Sequence, residues 1–436
     1  MTSYLETIQY LYNAAPAFEK VGASAYKEGL ANTETLDEHF CHPHRQYKTI
    51  HIAGTNGKGS CSHTLAAILQ SQGYKVGLYT SPHLIDFRER IKVNGVCIPE
   101  ERVVRWVEEE KDFFEPLSPS FFELTTALAF LYFAEQKVDI AVIEVGLGGR
   151  LDCTNIISPM LSVITNISFD HTQFLGDTLA KIAAEKGGII KSGIPCLIGE
   201  ANAETRPVFE RIAGDKGSEI WFAEDNPTEA EIDFELKGAY QTKNRNTILY
   251  AVQLLRKQME ISDAAVEKGF ANVCELTGLM GRWQTLSEKP KTICDTGHNL
   301  AGWEYLAPQI TNTFKALAAA TEGKAKLRIV FGMVDDKDIN AVLNLLPKDA
   351  EYYFCQASTH RAIAAERVAE LAKSKGFDGK TFSSVDDAYK SAMSDSADED
   401  LIFIGGSSYV VADLLTFLKY GVFSRQQTQR PAADAT

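Results

Sequence analysis

The 436-residue chain lacks three things whose absence narrows its class. It has no Cys-x-x-Cys pair: Cys41, Cys61, Cys97, Cys153, Cys196, Cys274, Cys294 and Cys355 lie far apart. That spacing fits reduced, buried thiols and argues against a zinc site or a disulfide framework. It has no long apolar run, since the longest, from Ala127 to Ala134, falls far short of the roughly 20 residues a membrane helix needs. It is also short of positive charge. Lys plus Arg number 44 against 58 Asp plus Glu, a net charge of −14, which repels phosphate backbones and argues against broad nucleic-acid binding. A local basic pocket for a small anion stays compatible with that balance. The first residues carry no basic segment followed by an apolar stretch, so no signal peptide is expected, and the chain reads as soluble and cytoplasmic.

What is present is ordinary globular composition, 45% hydrophobic and 23% charged. At roughly 100–200 residues per domain, the length predicts two or three domains. Residues 1–47 read as short helices and loops, with Leu5, Ile8 and Leu11 at helical spacing. Short apolar runs then alternate with helical stretches: Lys48–Ala53, Val76–Thr80, Val138–Val145, Leu161–Asn166 and Pro195–Gly199 as strands, Phe121–Gln136 as a buried helix. This alternation predicts α/β architecture, with mostly parallel sheet covered on both faces. It weakens over 200–237, and a helix is expected near Asn246–Met259. A second series has strands at Thr292–Asp295, Leu327–Phe331, Tyr352–Cys355 and Leu401–Ile404. The polar stretch Thr285–Pro290 marks the expected boundary between the two. Residues 424–436 are polar and are expected to fray.

The sharpest local signal is Gly54-Thr-Asn-Gly-Lys-Gly-Ser60 between a strand and a helix. Glycines let backbone N–H groups close on phosphate oxygens, the helix N-terminus adds partial positive charge, and Lys58 adds a full one. Only Thr55 and Asn56 separate the first Gly from Gly-Lys, where the standard P-loop has four residues. A plain glycine turn is the simpler alternative. Glu144 ends an apolar strand, where carboxylates of open α/β sheets reach ligands and can hold Mg²⁺; capping the next helix is its bland alternative. Asp170-His171 and Ser81 also follow strands, although a lone His or a turn Ser is more often structural. Lys186 alone would read as a solvated helix residue, and Asp295-Thr-Gly-His-Asn299 as a turn or a nucleotide contact. The chemistry rests on Lys58, Ser81, Glu144 and His171 all following strands that would be sheet neighbours.

Together these motifs resemble the folylpolyglutamate synthase and dihydrofolate synthase family, which belongs with the Mur ligases. The resemblance spans nearly the whole chain: Tyr26–Leu30, His51–Ser60, Tyr79–His83, Phe87–Ile91, Phe121–Thr125, Ile143–Asp152, Asp170-His171, Lys186–Lys191, Gly281-Arg282, Asp295–Asn299 and Gly405–Tyr409. It implies two domains: an N-terminal P-loop-type ATP-binding domain of the Mur ligase central type over 1–287, and a Rossmann-like C-terminal Mur ligase domain over 288–436. It implies that Thr55, Asn56, Gly57, Lys58, Gly59 and Ser60 cradle ATP phosphates, and that Asn244, Arg282 and Asp295 also hold ATP. Ser81, Glu144 and His171 resemble the Mg²⁺ ligands, Lys186 the lysine that the family carbamylates, and His298 a residue that meets the γ-phosphate. Phe121, Phe122, Glu123 and Asp152 fall in segments that line the pterin site of bifunctional members.

The implied reaction is ATP-dependent ligation of L-glutamate to dihydropteroate and to reduced folates. A carboxylate attacks the γ-phosphate, and the acyl phosphate is then attacked by the glutamate amine, so Lys58, Mg²⁺ and Arg282 need only position groups and neutralise charge. No side-chain nucleophile is required, which matches the lack of any Ser/His/Asp or Cys/His signature. The resemblance also implies a monomer, and a monovalent cation such as K⁺ is compatible with it. Gly149–Asp152 resembles bifunctional members more than monofunctional ones. Three positions depart from the common pattern: Tyr240, Gln284 and Thr296. A monofunctional folylpolyglutamate synthase and a P-loop ATPase switch stay open as alternatives. A cell-wall Mur ligase would carry an extra N-terminal domain, for which the 47 residues before the first strand are too few.

Overall fold

The computed structural model describes residues 3–14, 29–227 and 231–421. Tyr26, Lys27 and Glu28 of the first motif, and the polar stretch 424–436, lie outside the described residues. The chain forms two compact units, Met1–Glu235 with Tyr240–Leu279, and Leu236–Ala239 with Met280–Thr436.

The first unit is built on an eight-stranded sheet: β1 (Lys48–Ala53), β2 (Val76–Tyr79), β3 (Ile91–Val93), β4 (Val96–Cys97), β5 (Ile140–Glu144), β6 (Leu161–Ile164), β7 (Cys196–Ile198) and β8 (Ile220–Phe222). The strand order is β4-β3-β2-β5-β1-β6-β7-β8. The six strands from β2 to β8 run parallel, and β3 and β4 add an antiparallel edge. β5 and β6 are wholly buried and mostly apolar, interrupted only by Glu144 and Ser162, because helices cover both faces. The expected strands are all present, each within two residues at its ends. β3, β4 and β8 went unread because two or three residues carry too little periodicity.

Helix Lys58–Gln72 follows β1 and is buried from Ser60 to Leu69. Its low amphipathicity follows from being enclosed by the sheet and by helices Gln241–Leu255 and Asp263–Ala271. Gly269 makes the second contact close, since a Cβ there would sit 2.5 Å from the Ile68 Cα. Helix Phe121–Glu135 packs with Phe87, Trp106 and Phe114 in a core of mixed aromatic and aliphatic side chains on one side of the sheet.

The second unit holds a six-stranded sheet of β9 (Gln284–Glu288), β10 (Lys291–Asp295), β11 (Leu327–Phe331), β12 (Glu351–Cys355), β13 (Gly379–Phe382) and β14 (Leu401–Gly405). Its order is β13-β12-β11-β14-β10-β9, parallel except for β9. The units part at Leu279/Met280, not at 287/288. The polar stretch expected as a linker is the edge strand β9, whose residues are mostly half-exposed and so lack an apolar run.

Candidate active site

β2, β5, β1 and β6 are consecutive in the first sheet, so the segments leaving them stand side by side at its carboxyl edge. The chain leaves β1 for β2 on one side, returns as β5 between them, and from β5 crosses β1 to β6 on the other side, which makes this a topological switch point of the kind where open α/β sheets bind ligands. Lys58, Ser81, Glu144 and His171 therefore share one edge.

The phosphate loop is held from behind by the end of β6. Asn166 accepts the Thr55 amide on its carbonyl (2.9 Å) and the Asn56 amide on its Oδ1 (2.9 Å). Thr165 Oγ1 donates to the Asn56 carbonyl at 2.6 Å. Thr55 Oγ1 donates to the Ser168 carbonyl (3.1 Å) and accepts the Ser168 amide (3.0 Å). The amides of Thr55 and Asn56 thus serve the loop's own bracing, and the amides a helix N-terminus presents begin at Lys58 and continue through Gly59 and Ser60. Gly57 takes the left-handed conformation that starts the helix, φ 85°. Asn244 lies against it: a Cβ on Gly57 would stand 2.3 Å from Asn244 Oδ1. Asn244 Nδ2 in turn donates to Gln241 Oε1 at 2.8 Å, and Gln241 Nε2 to Ser60 Oγ at 3.0 Å. Thr165, Asn166, Ser168 and Gln241 escaped the sequence reading, because hydrogen bonds between segments distant in the chain leave no spacing signature.

Two lysines meet at this loop. Lys58 Nζ donates to the carbonyls of Gly54 (2.9 Å) and Thr55 (3.1 Å), and Lys186 Nζ donates to Gly54 at 3.0 Å. Lys186 lies in the last turn of helix Leu179–Gly187 and is 5% exposed, so it is not the solvated residue its type suggests. Burial, and next the charge of Lys58, hold its amine down to about 7.

Glu144 is the last residue of β5 and is 3% exposed, a carboxylate position that needs countercharge. His171 adopts the left-handed conformation, φ 50°, at the start of the short helix Thr172–Leu175, and its amide donates to Asp170 Oδ1 at 2.8 Å. The Ser81 segment is fixed by Glu89, whose carboxylate takes the amides of Leu84, Ile85 and Asp86. Among the described residues no three His, Cys, Asp or Glu side chains gather as a metal-holding group. The expected set contains only two residues of those types and completes itself with the Ser81 hydroxyl.

The expected substrate residues divide. Phe121 is 3% exposed, with one face stacked on Tyr12 (4.7 Å) and the Arg90 guanidinium 5.2 Å from its centre. Glu123 closes a capping box with Ser120 and accepts from Asn32 Nδ2 at 3.4 Å. Both are committed to core and helix cap. Phe122 is half-buried and packs on the loop after β5, where a Cβ on Gly146 would stand 2.4 Å from its ring. Asp152 organises that loop. Its Oδ2 accepts the amides of Gly146 (3.0 Å) and Leu147 (2.9 Å), and its Oδ1 the amide of Thr154 (3.0 Å) and the Thr154 hydroxyl. Burial pushes its carboxyl up despite these bonds. Gly149 brings the same loop onto the backbone of Lys186, with no room for a Cβ.

In the second unit, Asp295 ends β10 and accepts the amides of Trp283 (2.7 Å) and Gly297 (2.8 Å). Arg282 Nη1 donates to Thr296 Oγ1, which itself donates to the Gly281 carbonyl at 3.1 Å. Gln284 Oε1 accepts the Gly281 amide at 2.8 Å. Two of the unusual residues, Thr296 and Gln284, therefore set the turn that carries Arg282. His298 Nδ1 donates to the Thr296 carbonyl at 3.1 Å, and Asn299 caps helix Leu300–Ala320.

Residues 52–262 match the Mur ligase middle domain and residues 281–408 the Mur ligase glutamate ligase domain. The dihydrofolate synthase/folylpolyglutamate synthase of Bacillus subtilis (strain 168) is 33% identical over 425 residues, covering 90% of this chain and 95% of that protein. The chain belongs to the dihydrofolate synthase/folylpolyglutamate synthase family of Mur ligases. The Escherichia coli (strain K12) member is 34% identical over 84% of this chain and 85% of its own. The fold agrees with solved members of the family. E. coli FolC in complex with DHPP and ADP superposes with TM-score 0.82 at 30% identity, covering 96% of this chain and 98% of that one. The Yersinia pestis bifunctional enzyme complexed with AMPPNP and Mn ion gives 0.80 at 28% identity, covering 96% and 98%.

Proposed function

We propose that this chain is an ATP-dependent amide ligase that joins L-glutamate to dihydropteroate and to reduced folates through an acyl phosphate. The observation that carries the reading is the convergence of Lys58, Lys186 and the helix N-terminus on one braced glycine loop, beside the buried Glu144. That arrangement concentrates positive charge where a nucleotide's phosphates would lie, with a carboxylate at hand. Relatives carrying the same domains are named for both synthase activities, and solved ones hold ADP or AMPPNP.

In this reading Gly57, Lys58, Gly59 and Ser60 receive the phosphates, with Thr55 and Asn56 shaping the loop. Asn244 belongs with this set in the first unit, and Arg282, Asp295 and His298 are the second unit's own residues that the family resemblance assigns to ATP. The donors Ser81, Glu144 and His171 fit a divalent cation: a hydroxyl, a buried carboxylate and an imidazole follow β2, β5 and β6, strands grouped around β1 in one sheet. Such an ion, Mg²⁺ here, would neutralise phosphate charge. Lys186 fits carbamylation, because an amine held near 7 is in good part neutral and nucleophilic at physiological pH. The acceptor's carboxylate attacks the γ-phosphate, releasing ADP. The glutamate amine then attacks the acyl carbon, and inorganic phosphate leaves. Phe122 and Asp152 border the pterin, with Phe121 and Glu123 supporting them from behind. A monomer that does not bind nucleic acid completes the reading, and eight free thiols fit the reducing cytoplasm.

The test is ATP-dependent phosphate release with L-glutamate, offering dihydropteroate and tetrahydrofolate separately. Turnover of both is expected. Turnover of tetrahydrofolate alone would make the enzyme a monofunctional folylpolyglutamate synthase, and release indifferent to every acceptor would make it a nucleotide switch.

A further inference from the structure

Three buried polar residues form a chain across the core of the first unit. His51, in the middle of β1, is fully buried, and its Nε2 lies 2.8 Å from Thr154 Oγ1. Thr154 is also fully buried, and its hydroxyl donates to Asp152 Oδ1. A hydroxyl has one hydrogen. With that hydrogen given to the carboxylate, the Thr154 oxygen accepts, and His51 Nε2 must carry the N–H. The tautomer is thereby fixed, and Nδ1, buried without a hydrogen-bond partner, is the bare nitrogen. Burial holds His51 down to about 3, so the ring stays neutral and the chain keeps one direction. An interior parallel strand needs no histidine; Val or Ile would fill the position without stranding a polar atom.

The chain ends on the residue that pins the Gly146–Asp152 loop. Asp152 gathers the amides of Gly146 and Leu147 on its other oxygen, and Gly146 lies under the Phe122 ring. A shift of Asp152 would release both amides and move the surface on which Phe122 rests. The phosphate loop, by contrast, is braced by Thr165, Asn166, Ser168 and Asn244, none of which belongs to the chain.

We propose that His51 and Thr154 are positioning residues for the pterin acceptor, acting through Asp152 on the Gly146–Asp152 loop. The inference rests on the proposed ligase activity, with Phe122 and Asp152 at the acceptor. It predicts that lesions in the chain appear in the KM of the acceptor and not in that of ATP.

The experiment compares T154V and H51L with T154S and H51Q, which keep a hydroxyl and a donor. Dihydropteroate KM, ATP KM, kcat and Tm are measured for each. T154V, which removes a hydrogen bond to the Asp152 carboxylate, and H51L, which strips the Thr154 oxygen of its donor, should each raise the dihydropteroate KM about tenfold, with ATP KM and kcat within about twofold. T154S and H51Q should recover most of that loss. A variant with lowered Tm but unchanged dihydropteroate KM, an equal rise in both KM values, or no recovery in T154S and H51Q overturns the proposal. A measurement on the unmutated protein guards against variants that do not fold: the His51 Nε2–H resonance should be slow to exchange and should shift on adding dihydropteroate but not ADP. A resonance that ignores dihydropteroate overturns the proposal as well. Failure of the ligase reading is a separate result, in which the unmutated enzyme turns over neither acceptor, and this inference falls with it.

Discussion

Lys58 and Lys186, 128 positions apart by their numbers, donate to one oxygen: the Gly54 carbonyl takes their Nζ groups at 2.9 and 3.0 Å. Two ammonium groups on one carbonyl cannot both be comfortable, and the buried one yields. Burial is the larger cause of the lowered Lys186 value, and the Lys58 charge the next. In K58M the Lys186 amine should therefore titrate above its present value of about 7 without reaching 10.5. Carbon-13-labelled bicarbonate would report this as a carbamate resonance whose pH midpoint moves upward in K58M and which is missing in K186M. The linkage has a definite sign. Between about 7 and 10.5 the unfolded chain binds more protons than the folded one at this site, so its contribution to stability rises with pH across that window. Urea midpoints of K186M should lack that rise. An unmoved carbamate midpoint in K58M would leave burial as the whole cause.

The bracing of the phosphate loop by β6 makes a second prediction. Asn166 supplies both a carbonyl and a side-chain oxygen to the amides of Thr55 and Asn56. N166A keeps the carbonyl and removes the side-chain acceptor, leaving the Asn56 amide in search of a partner. It should cost about 1–2 kcal/mol in chemical unfolding and raise the KM of ATP several-fold, with the acceptor KM little changed. T165V, which removes the donor to the Asn56 carbonyl, should act in the same direction. Unaltered ATP kinetics in both variants would show that the loop holds its shape without β6.

How much of this was legible in the chain depends on the kind of contact involved. Apolar strands such as Lys48–Ala53 and Leu327–Phe331 announced themselves because parallel interior strands are buried on both faces. Edge strands did not: β9 and β13 show polar or exposed residues, and β9 passed for a linker, displacing the expected boundary by eight positions. Residues at strand ends, Glu144 and the Lys58 loop, were visible because the pattern itself points to the sheet's carboxyl edge. Asn166, Gln241, His51 and Thr154 were not singled out, since each acts on a partner brought near only by folding. Phe121 and Glu123 show what a motif alone leaves open: it marks a segment, and the packing places these two side chains in the core and in a helix cap.

A third prediction concerns acid stability. Asp37 is buried between two imidazoles, with His42 Nδ1 at 2.6 Å and His44 Nδ1 at 2.7 Å. Burial alone would raise its carboxyl, but the hydrogen bonds from His44 and His42 outweigh it and hold the group below 3.8. A carboxyl depressed in the folded state contributes stability above its unfolded value and loses it as pH falls through the folded one. Urea midpoints of the unmutated protein should therefore fall more steeply below about pH 3.8 than those of D37N, which should be the weaker protein at neutral pH. Parallel acid limbs for the two proteins would remove Asp37 from the account of acid unfolding.

The last prediction separates two reasons for a glycine at position 57. Its φ of 85° is one that a residue with a Cβ adopts at a cost of about 1–2 kcal/mol. A Cβ there would also stand 2.3 Å from Asn244 Oδ1, closer than atoms approach without displacement. G57A should thus destabilise the protein by both routes and raise the KM of ATP, as Asn244 is driven from the loop. In an N244A background the clash disappears while the backbone cost stays. The double-mutant cycle should therefore show G57A costing at least about 1 kcal/mol less when Asn244 is already gone, in chemical unfolding. An equal cost in both backgrounds would mean that Asn244 gives way freely. The glycine would then be required by the turn into the helix alone, and Asn244 would lose its claim to shape the phosphate loop.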